Sequence, residues 1–219
     1  MDPTPLHDIR THKVNAANAR EFGELELALR EALSAISACE AYFQELGTTS
    51  PADTEKMRRT ARELADSCGV AGGILRRMKN YREALKMYEK GAKLERDPQL
   101  GIENTYNLTN ALVTKVIADP ETFSQNHSKI EEARQLVENQ LQLTRRQDWW
   151  AWADLGTLAL LERNPRLAVS AFLRFREQGA TPANCEKAAT VVREIGEAVS
   201  FIAPEVSRAT QEIVHILGS

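Results

Sequence analysis

The sequence predicts an all-α protein built from repeated helical hairpins. No segment keeps up the period-two alternation of a strand, whereas apolar residues recur at three- and four-residue steps along most of the chain. Gly72 and Ala84 are twelve residues apart, as are Gly156 and Ala168, and an aromatic residue follows four positions later in both segments. Small residues let two helices approach closely, and the aromatic ring fills the groove between them. The recurrence of this spacing predicts a repeat array.

The N-terminal part of the chain is predicted to hold an arm and then two long helices. Residues 1–16 contain two prolines and little periodicity, so we expect a flexible or loosely docked arm. An apolar stripe from about residue 17 to Gly47 predicts the first long helix. Ser50 as N-cap and Pro51 at the first helical position predict the start of the second. The short link between these helices predicts an antiparallel hairpin over 17–64.

Three helical hairpins are predicted over 65–182. The copies at 65–98 and 149–182 keep the twelve-residue spacing, and the copy at 102–147 holds about twelve more residues between its helices. These extra residues fall near 119–128, where turn-forming residues are frequent, so we expect an insertion there.

Capping residues followed by proline mark further helix starts. These pairs are Asp97-Pro98, Asp119-Pro120, Asn164-Pro165 and Thr181-Pro182, and Pro204 opens the last helix. Residues 183–219 are therefore predicted to be helices that cover the exposed end of the array. We expect one helical-repeat domain over 17–219.

The spacing resembles the tetratricopeptide repeat (TPR), a unit of about 34 residues with Trp, Leu-Gly and Tyr on its first helix and Ala, Phe and Ala on its second. The copy at 149–182 carries Trp152, Leu155, Gly156, Ala168, Phe172 and Pro182. It departs from the family at Ala159, where Tyr is usual, and at Phe175, where a small residue is usual. The resemblance covers about half of the chain and implies a right-handed superhelix whose first helices line a concave groove.

In that family, first-helix residues beside the Trp and the Gly point into the groove. Carried over by position, they are Gly69, Gly73 and Arg76, then Tyr106, Asn110 and Val113, then Ala153, Thr157 and Leu160. Asn110 stands where carboxylate-clamp members hold a peptide backbone. Gly69 and Tyr106 replace the basic residues of that clamp, so the resemblance does not imply a clamp here.

The candidate partner- or ligand-binding residues form a cationic, aromatic and amide set. They are Arg76, Arg77, Tyr106, Asn107, Asn110 and Trp150. Arginine forks bind anions bidentately and tyrosine gives rigid contact area, so the set suits an acidic or phosphorylated peptide, and also a nucleotide. The alternative is that Tyr106 and Trp150 are core residues and the arginines a solvated surface.

Composition and motifs argue against several classes of function. A net charge of −3 gives no general attraction to nucleic acid, and no apolar run approaches the length of a bilayer span. The N-terminus lacks an apolar signal core, so we expect a cytoplasmic protein with its three cysteines as free thiols. No phosphate-loop, metalloprotease or serine-nucleophile motif occurs, and the four histidines are scattered. We predict no enzyme, no cofactor and no metal site.

The order of the hairpins is also similar to the regulatory repeat region of apoptosis signal-regulating kinases and its bacterial signalling and defence relatives. The shared features are the Lys90-Gly91 pair after the aromatic, the long second hairpin and the Trp-led third one. That resemblance implies a region that docks partners and gates an effector. We therefore expect a non-enzymatic adaptor or scaffold that binds a protein partner in its groove, in a signalling or defence system. The alternative is a sensor that binds a small anion such as a nucleotide; the oligomeric state stays open.

Overall fold

The structure, a computed structural model, describes residues 5–48, 54–123 and 125–218, and within these ranges the chain is all-α without a strand. The α-helices are α1 (Pro5–Glu21), α2 (Leu25–Thr48), α3 (Thr54–Arg77), α4 (Tyr81–Glu95), α5 (Tyr106–Ala118), α6 (His127–Leu143), α7 (Trp149–Leu161), α8 (Pro165–Glu177), α9 (Pro182–Ala198) and α10 (Pro204–Gly218). A short 3-10 helix, Pro120–Phe123, lies between α5 and α6. The predicted all-α fold of helical hairpins is confirmed.

The helices form two compact units, residues 1–111 and 112–219, with the boundary inside α5. The range 17–219, predicted as one domain, therefore contains two units, and each is described by itself. In the first unit α2 packs against both α1 and α3, and α3 packs against α4. Alanines fill much of the buried surface of α2 and α3 and allow close helix contact. They are Ala28, Ala32, Ala35, Ala61, Ala65 and Ala71.

Residues 5–16, predicted as part of a flexible or loosely docked arm, form most of helix α1 instead. Ile9 is fully buried in the core that α1 shares with α2 and α3. Lys13 Nζ donates a hydrogen bond to Glu63 Oε2 on α3 at 2.6 Å. The prediction was wrong because α1 has a narrow apolar face, and contacts between charged side chains, which periodicity does not detect, supply part of its attachment.

The long helix predicted from residue 17 is interrupted by a turn at Gly23. Gly23 has a φ of 78°, and Glu24 N donates to Ala19 O at 2.9 Å, which closes α1. Glycine adopts this left-handed conformation without the Cβ penalty of other residues. The apolar spacing continues through the turn, so it gave no signal of the break. The start predicted at Ser50 and Pro51 lies outside the described residues.

Asp97 and Pro98 do not begin a helix, contrary to the prediction. Turns follow them, and α5 begins only at Tyr106. Asn104 Oδ1 accepts hydrogen bonds from the backbone N–H groups of Thr105 at 2.8 Å and Tyr106 at 3.2 Å. The side chain of Asn104 therefore binds the first backbone N–H groups of α5, whose start had been predicted at Pro98.

In the second unit α7 packs against α6 and α8, and α9 and α10 form the last hairpin. Two predicted starts are confirmed: the side chain of Asn164 accepts from Leu167 N at 3.2 Å, and that of Thr181 from Asn184 N at 3.3 Å. The α10 helix also packs against α8, where Arg176 Nη1 donates to Ile216 O at 2.9 Å.

The predicted insertion contains the short 3-10 helix. Phe123, at its end, is 3% exposed, and the Arg163 guanidinium lies 5.0 Å from the centre of its ring. A cation over an aromatic face is attracted by the ring quadrupole. Within the described residues, the insertion is thus attached to the turn between α7 and α8.

The small-residue and aromatic pairs predicted from the spacing are in contact. A Cβ at Gly72 would lie 2.8 Å from the Tyr88 ring, and a Cβ at Gly156 would lie 2.7 Å from the Phe172 ring. In each hairpin the aromatic ring occupies the space that a larger residue on the first helix would need.

Candidate functional site

Five of the predicted groove positions lie together on α3 and α5 in the first unit. A Cβ at Gly69 would be 2.8 Å from the Tyr106 ring, and one at Gly73 would be 3.9 Å from the Tyr106 hydroxyl. Arg76 Nη1 donates a hydrogen bond to Asn110 Oδ1 at 2.8 Å. We call Gly69, Gly73, Arg76, Tyr106 and Asn110 the α3–α5 strip.

Helical spacing and the two glycines explain the α3–α5 strip. Gly69, Gly73 and Arg76 are four and then three residues apart, so they share one face of α3. Tyr106 and Asn110 are four apart and share one face of α5. Because the glycines carry no side chains, the Tyr106 ring lies against the α3 helix itself and stays 40% exposed.

Hydrogen bonds fix the polar end of the strip. Asn110 Nδ2 donates to Tyr106 O, one turn earlier, at 2.9 Å, while its Oδ1 accepts from Arg76. Asn110 is 8% exposed and Arg76 is half-buried. The Asn110 amide therefore positions the Arg76 guanidinium on the strip.

Tyr88 adds a second hydroxyl beneath the strip. Its ring centre is 6.4 Å from that of Tyr106 in an edge-on arrangement, and its hydroxyl would lie 3.6 Å from a Cβ at Gly73. The sequence marked Tyr88 only as a packing residue of the second helix. Its polar end was missed because the twelve-residue pattern does not distinguish Tyr from Phe at that position.

Asn107, predicted as a binding residue, is a core residue with 1% exposure. Its Nδ2 donates to Ala65 O at 3.0 Å and to Glu95 Oε1 at 2.8 Å. A Cβ at Gly91 would overlap its amide, so Gly91 provides the space that Asn107 fills. The prediction is corrected because one residue beyond Tyr106 the helix has turned its side chain into the core.

Glu95 was missed by sequence reasoning and holds the start of α5. Its carboxylate is 7% exposed and accepts from Asn107 N at 3.1 Å and Leu108 N at 3.2 Å. A carboxylate at a helix N-terminus satisfies free N–H groups and complements the helix dipole. The available signal was a charged residue four positions after Gly91, on the buried face of α4.

The remaining predicted residues do not extend the strip. Arg77 is exposed, and its side chain forms no hydrogen bond or ion pair with the described residues. Trp150 belongs to the second unit and is half-buried, with its ring centre 4.7 Å from Trp149 and 5.5 Å from Phe175. These contacts support the alternative that Trp150 is a packing residue.

The groove positions carried over to the third copy are buried. Ala153, Thr157 and Leu160 are at most 7% exposed, and Val113 of the middle copy is fully buried. None of the four presents a surface to a ligand. The prediction that these four side chains line a groove is therefore corrected. Matching the family's sequence pattern places a residue on a helix but does not show whether its side chain is exposed.

The three cysteines are free thiols, as predicted, and all three are buried. Burial raises the pKa of the Cys39 thiol to about 12 and that of Cys68 to about 11. Thiols that stay protonated are poor nucleophiles and poor metal ligands.

Among the described residues, no group of three His, Cys, Asp or Glu side chains is placed to share a metal ion. No helix in that part of the chain is both long and apolar enough to cross a bilayer.

No family model matches the chain, and no curated protein matches it. Among solved structures it is similar to the crystal structure of BtubC (BKLC) from P. vanneervenii, with a TM-score of 0.42 and 12% identity over 98% of this chain and 91% of that one. At this level of likeness, function has to be argued from the residues of this chain.

Proposed function

We propose that this chain is a non-enzymatic adaptor whose α3–α5 strip binds an extended segment of a partner protein. The observation that carries the proposal is the hydrogen bond between Arg76 and Asn110, which positions a guanidinium on the same face as the 40% exposed Tyr106 ring. Exposed aromatic rings and arginines are the residues that contribute most to protein recognition. On the resemblances stated above, the partner is an effector of a signalling or defence system.

The chemistry of the strip favours an acidic or phosphorylated segment. Its polar side chains include a guanidinium and a tyrosine hydroxyl, both of which donate hydrogen bonds. No strip residue is acidic, and the nearby Glu95 carboxylate is occupied by the N-terminus of α5. An anionic group that displaces the Asn110 contact would gain a charge-assisted bond from Arg76.

The exposed part of the strip suits an extended chain. The Tyr106 ring covers the buried Gly69, whereas Gly73 stays partly exposed beside the ring. An extended segment can lie along the exposed side of the ring, past Gly73 and towards Arg76.

Peptide selection tests the adaptor. Random peptides are displayed to the immobilised full chain, and the affinity of the selected peptides is measured by fluorescence anisotropy. We expect acidic peptides to be selected. The double variant Arg76→Ala with Asn110→Ala should bind them roughly tenfold more weakly than the wild type does, while its helicity by circular dichroism is unchanged. Arg166→Ala with Asn139→Ala, two exposed residues of the second unit, is the matched control. Equal affinity of the two double variants, or failure to select any peptide, contradicts the proposal.

A nucleotide sensor is the second candidate, because a ring beside a guanidinium can also hold a base and a phosphate. Thermal shift with ATP, GTP and NAD separates the two functions, since a ligand that binds only the folded state raises its melting temperature. A shift that Arg76→Ala abolishes would replace the adaptor with the sensor. An unchanged melting temperature across the panel contradicts the sensor.

A further inference from the structure

The turn between α3 and α4 and the helix ends beside it carry three exposed cations, Arg77, Lys79 and Arg82, which we call the cationic turn. None of their side chains forms a hydrogen bond or ion pair with the residues that the structure describes. The sequence between Asp66 and Glu83 contains no acidic residue, and Glu83 directly follows Arg82.

The acidic residues near the cationic turn neutralise little of its positive charge. Glu83 on α4 accepts a hydrogen bond from Lys86 at 2.6 Å. Glu24 and Glu26, at the start of α2, lie towards the same end of the α2–α3 pair, and Arg30 follows one turn after Glu26. The positive charge is therefore confined to the cationic turn and does not extend to the neighbouring start of α2.

The backbone at Lys79 is strained for a residue with a Cβ. Lys79 has a φ of 58°, and it ends α3 with Lys79 N donating to Arg76 O and Asn80 N donating to Leu75 O, both at 2.9 Å. This helix-ending position favours glycine, because other residues meet a steric penalty there. A lysine held in this conformation without an internal contact is a candidate for an external one.

The corresponding turn of the second unit, between α7 and α8, holds a cation that contacts another residue of that unit. Arg163 has a φ of 59° in the same place, and its guanidinium lies 5.0 Å from the centre of the Phe123 ring. Glu162, beside it, accepts from Arg134 Nε at 2.5 Å. The exposed Arg163 therefore contacts an aromatic ring of its own unit, whereas the Lys79 side chain has no such contact among the described residues.

We propose that the cationic turn is a second docking site, which binds an acidic segment of a partner protein through carboxylates. Arginine and lysine side chains bind carboxylates with charge-assisted hydrogen bonds. A nucleic acid fits less well, because three cations on a chain of net charge −3 do not form the basic stripe that tracks a phosphate backbone. The site uses none of the α3–α5 strip residues, so it stands or falls separately from the adaptor strip.

A labelled oligoglutamate peptide is the probe, measured by anisotropy against the full chain at an ionic strength of about 0.02 M and again at about 0.15 M. Arg77→Ser, Lys79→Gly and Arg82→Ser are combined in one variant. We expect it to bind the peptide roughly tenfold more weakly than the wild type does. The control combines Arg146→Ser, Arg166→Ser and Arg208→Ser, three exposed arginines of the second unit, and changes the net charge equally. We expect it to bind as the wild type does.

Two results would overturn the proposal. Equal losses in the two triple variants would mean that only net charge matters. Tighter binding of a single-stranded oligonucleotide than of the peptide, lost in the turn variant, would assign the site to nucleic acid instead.

Lys79→Gly alone separates a binding role from a structural one. Removing the strain should raise the melting temperature by about 2–4 °C while the peptide binds about threefold more weakly. Lys79→Arg should keep the binding. In the matched variant, Arg163→Gly, relief of strain is offset by loss of the Phe123 contact, and peptide binding stays unchanged. Wild-type affinity in Lys79→Gly would contradict a docking role for this residue.

Discussion

The hairpins α3–α4 and α7–α8 have the same framework and differ at a buried position on their second helices. The same interval along the chain separates the paired residues Gly72 and Gly156, Lys79 and Arg163, Asn80 and Asn164, Ala84 and Ala168, and Tyr88 and Phe172. The asparagines cap the second helices, the cations occupy the left-handed turn position, and the rings pack on the glycines. This shared set builds the hairpin.

The difference follows three residues after the ring, at Gly91 in the first hairpin and Phe175 in the second. Gly91 leaves space that the Asn107 amide fills, and with it come the bonds that start α5. Phe175 fills the same place with its own ring and packs against Trp149 and Trp150. One framework therefore supports a polar junction in one unit and an aromatic cluster in the other, and only the polar junction places an exposed tyrosine on a strip.

Removing the rings from the shared framework should have the largest effect. Tyr88→Ala and Phe172→Ala each leave a cavity against a glycine on the facing helix, so each should lower the free energy of unfolding by about 3–5 kcal/mol. Urea denaturation followed by circular dichroism measures the change. Leu173→Ala, at an exposed leucine beside Phe172, is the control and should change stability little. A loss of less than about 1 kcal/mol at either ring would mean that its hairpin does not depend on this contact.

Filling Gly91 tests the position at which the hairpins differ. In Gly91→Ala the new Cβ overlaps the buried Asn107 amide, so unfolding should become easier by about 2–3 kcal/mol despite alanine's higher helix propensity. Gly47→Ala is the matched control, since a Cβ there meets nothing within 4 Å and should stabilise α2 by about 0.5–1 kcal/mol. If both variants gain stability, Asn107 does not require the glycine.

An acid titration should reveal a smaller effect in the first unit. The hydrogen bond between Glu31 and His12 Nδ1, at 2.8 Å, lowers the pKa of the Glu31 carboxyl below its usual range. Because the pKa is depressed in the folded state, this stabilisation is present above the unfolded pKa, about 4.3, and is lost as pH falls through the folded pKa. Burial raises the pKa of Asp66, which contributes with the opposite sign.

Glu31→Gln isolates the Glu31 contribution. The melting temperature of this variant should lie below that of the wild type at neutral pH and meet it in acid. A difference that stays constant across the titration would show that ionisation of Glu31 does not stabilise the attachment of α1.

Spacing along the chain predicts the features that the two hairpins share, whereas the other features depend on contacts between residues far apart in sequence. The glycine-ring pairs and the starts at Asn164 and Thr181 follow from residues close in sequence, so they were predictable. Helix α1 was not, because its contacts with Glu31 and Glu63 come from distant helices. For the candidate site, the family spacing predicted that Arg76, Tyr106 and Asn110 lie on neighbouring helices, and the structure joins Arg76 to Asn110 by a hydrogen bond. Nothing in the sequence showed that Asn107 turns inward onto Glu95.

Photo-crosslinking tests directly whether a peptide binds at the α3–α5 strip. The photoreactive residue p-benzoylphenylalanine is placed at position 106 or, in a separate chain, at position 150, and each chain is irradiated with a peptide selected on the wild type. Both positions hold aromatic side chains that are at least partly exposed. We expect a crosslink to the peptide from position 106 and none from position 150. A crosslink from position 150 alone, or from neither position, would contradict binding at the α3–α5 strip.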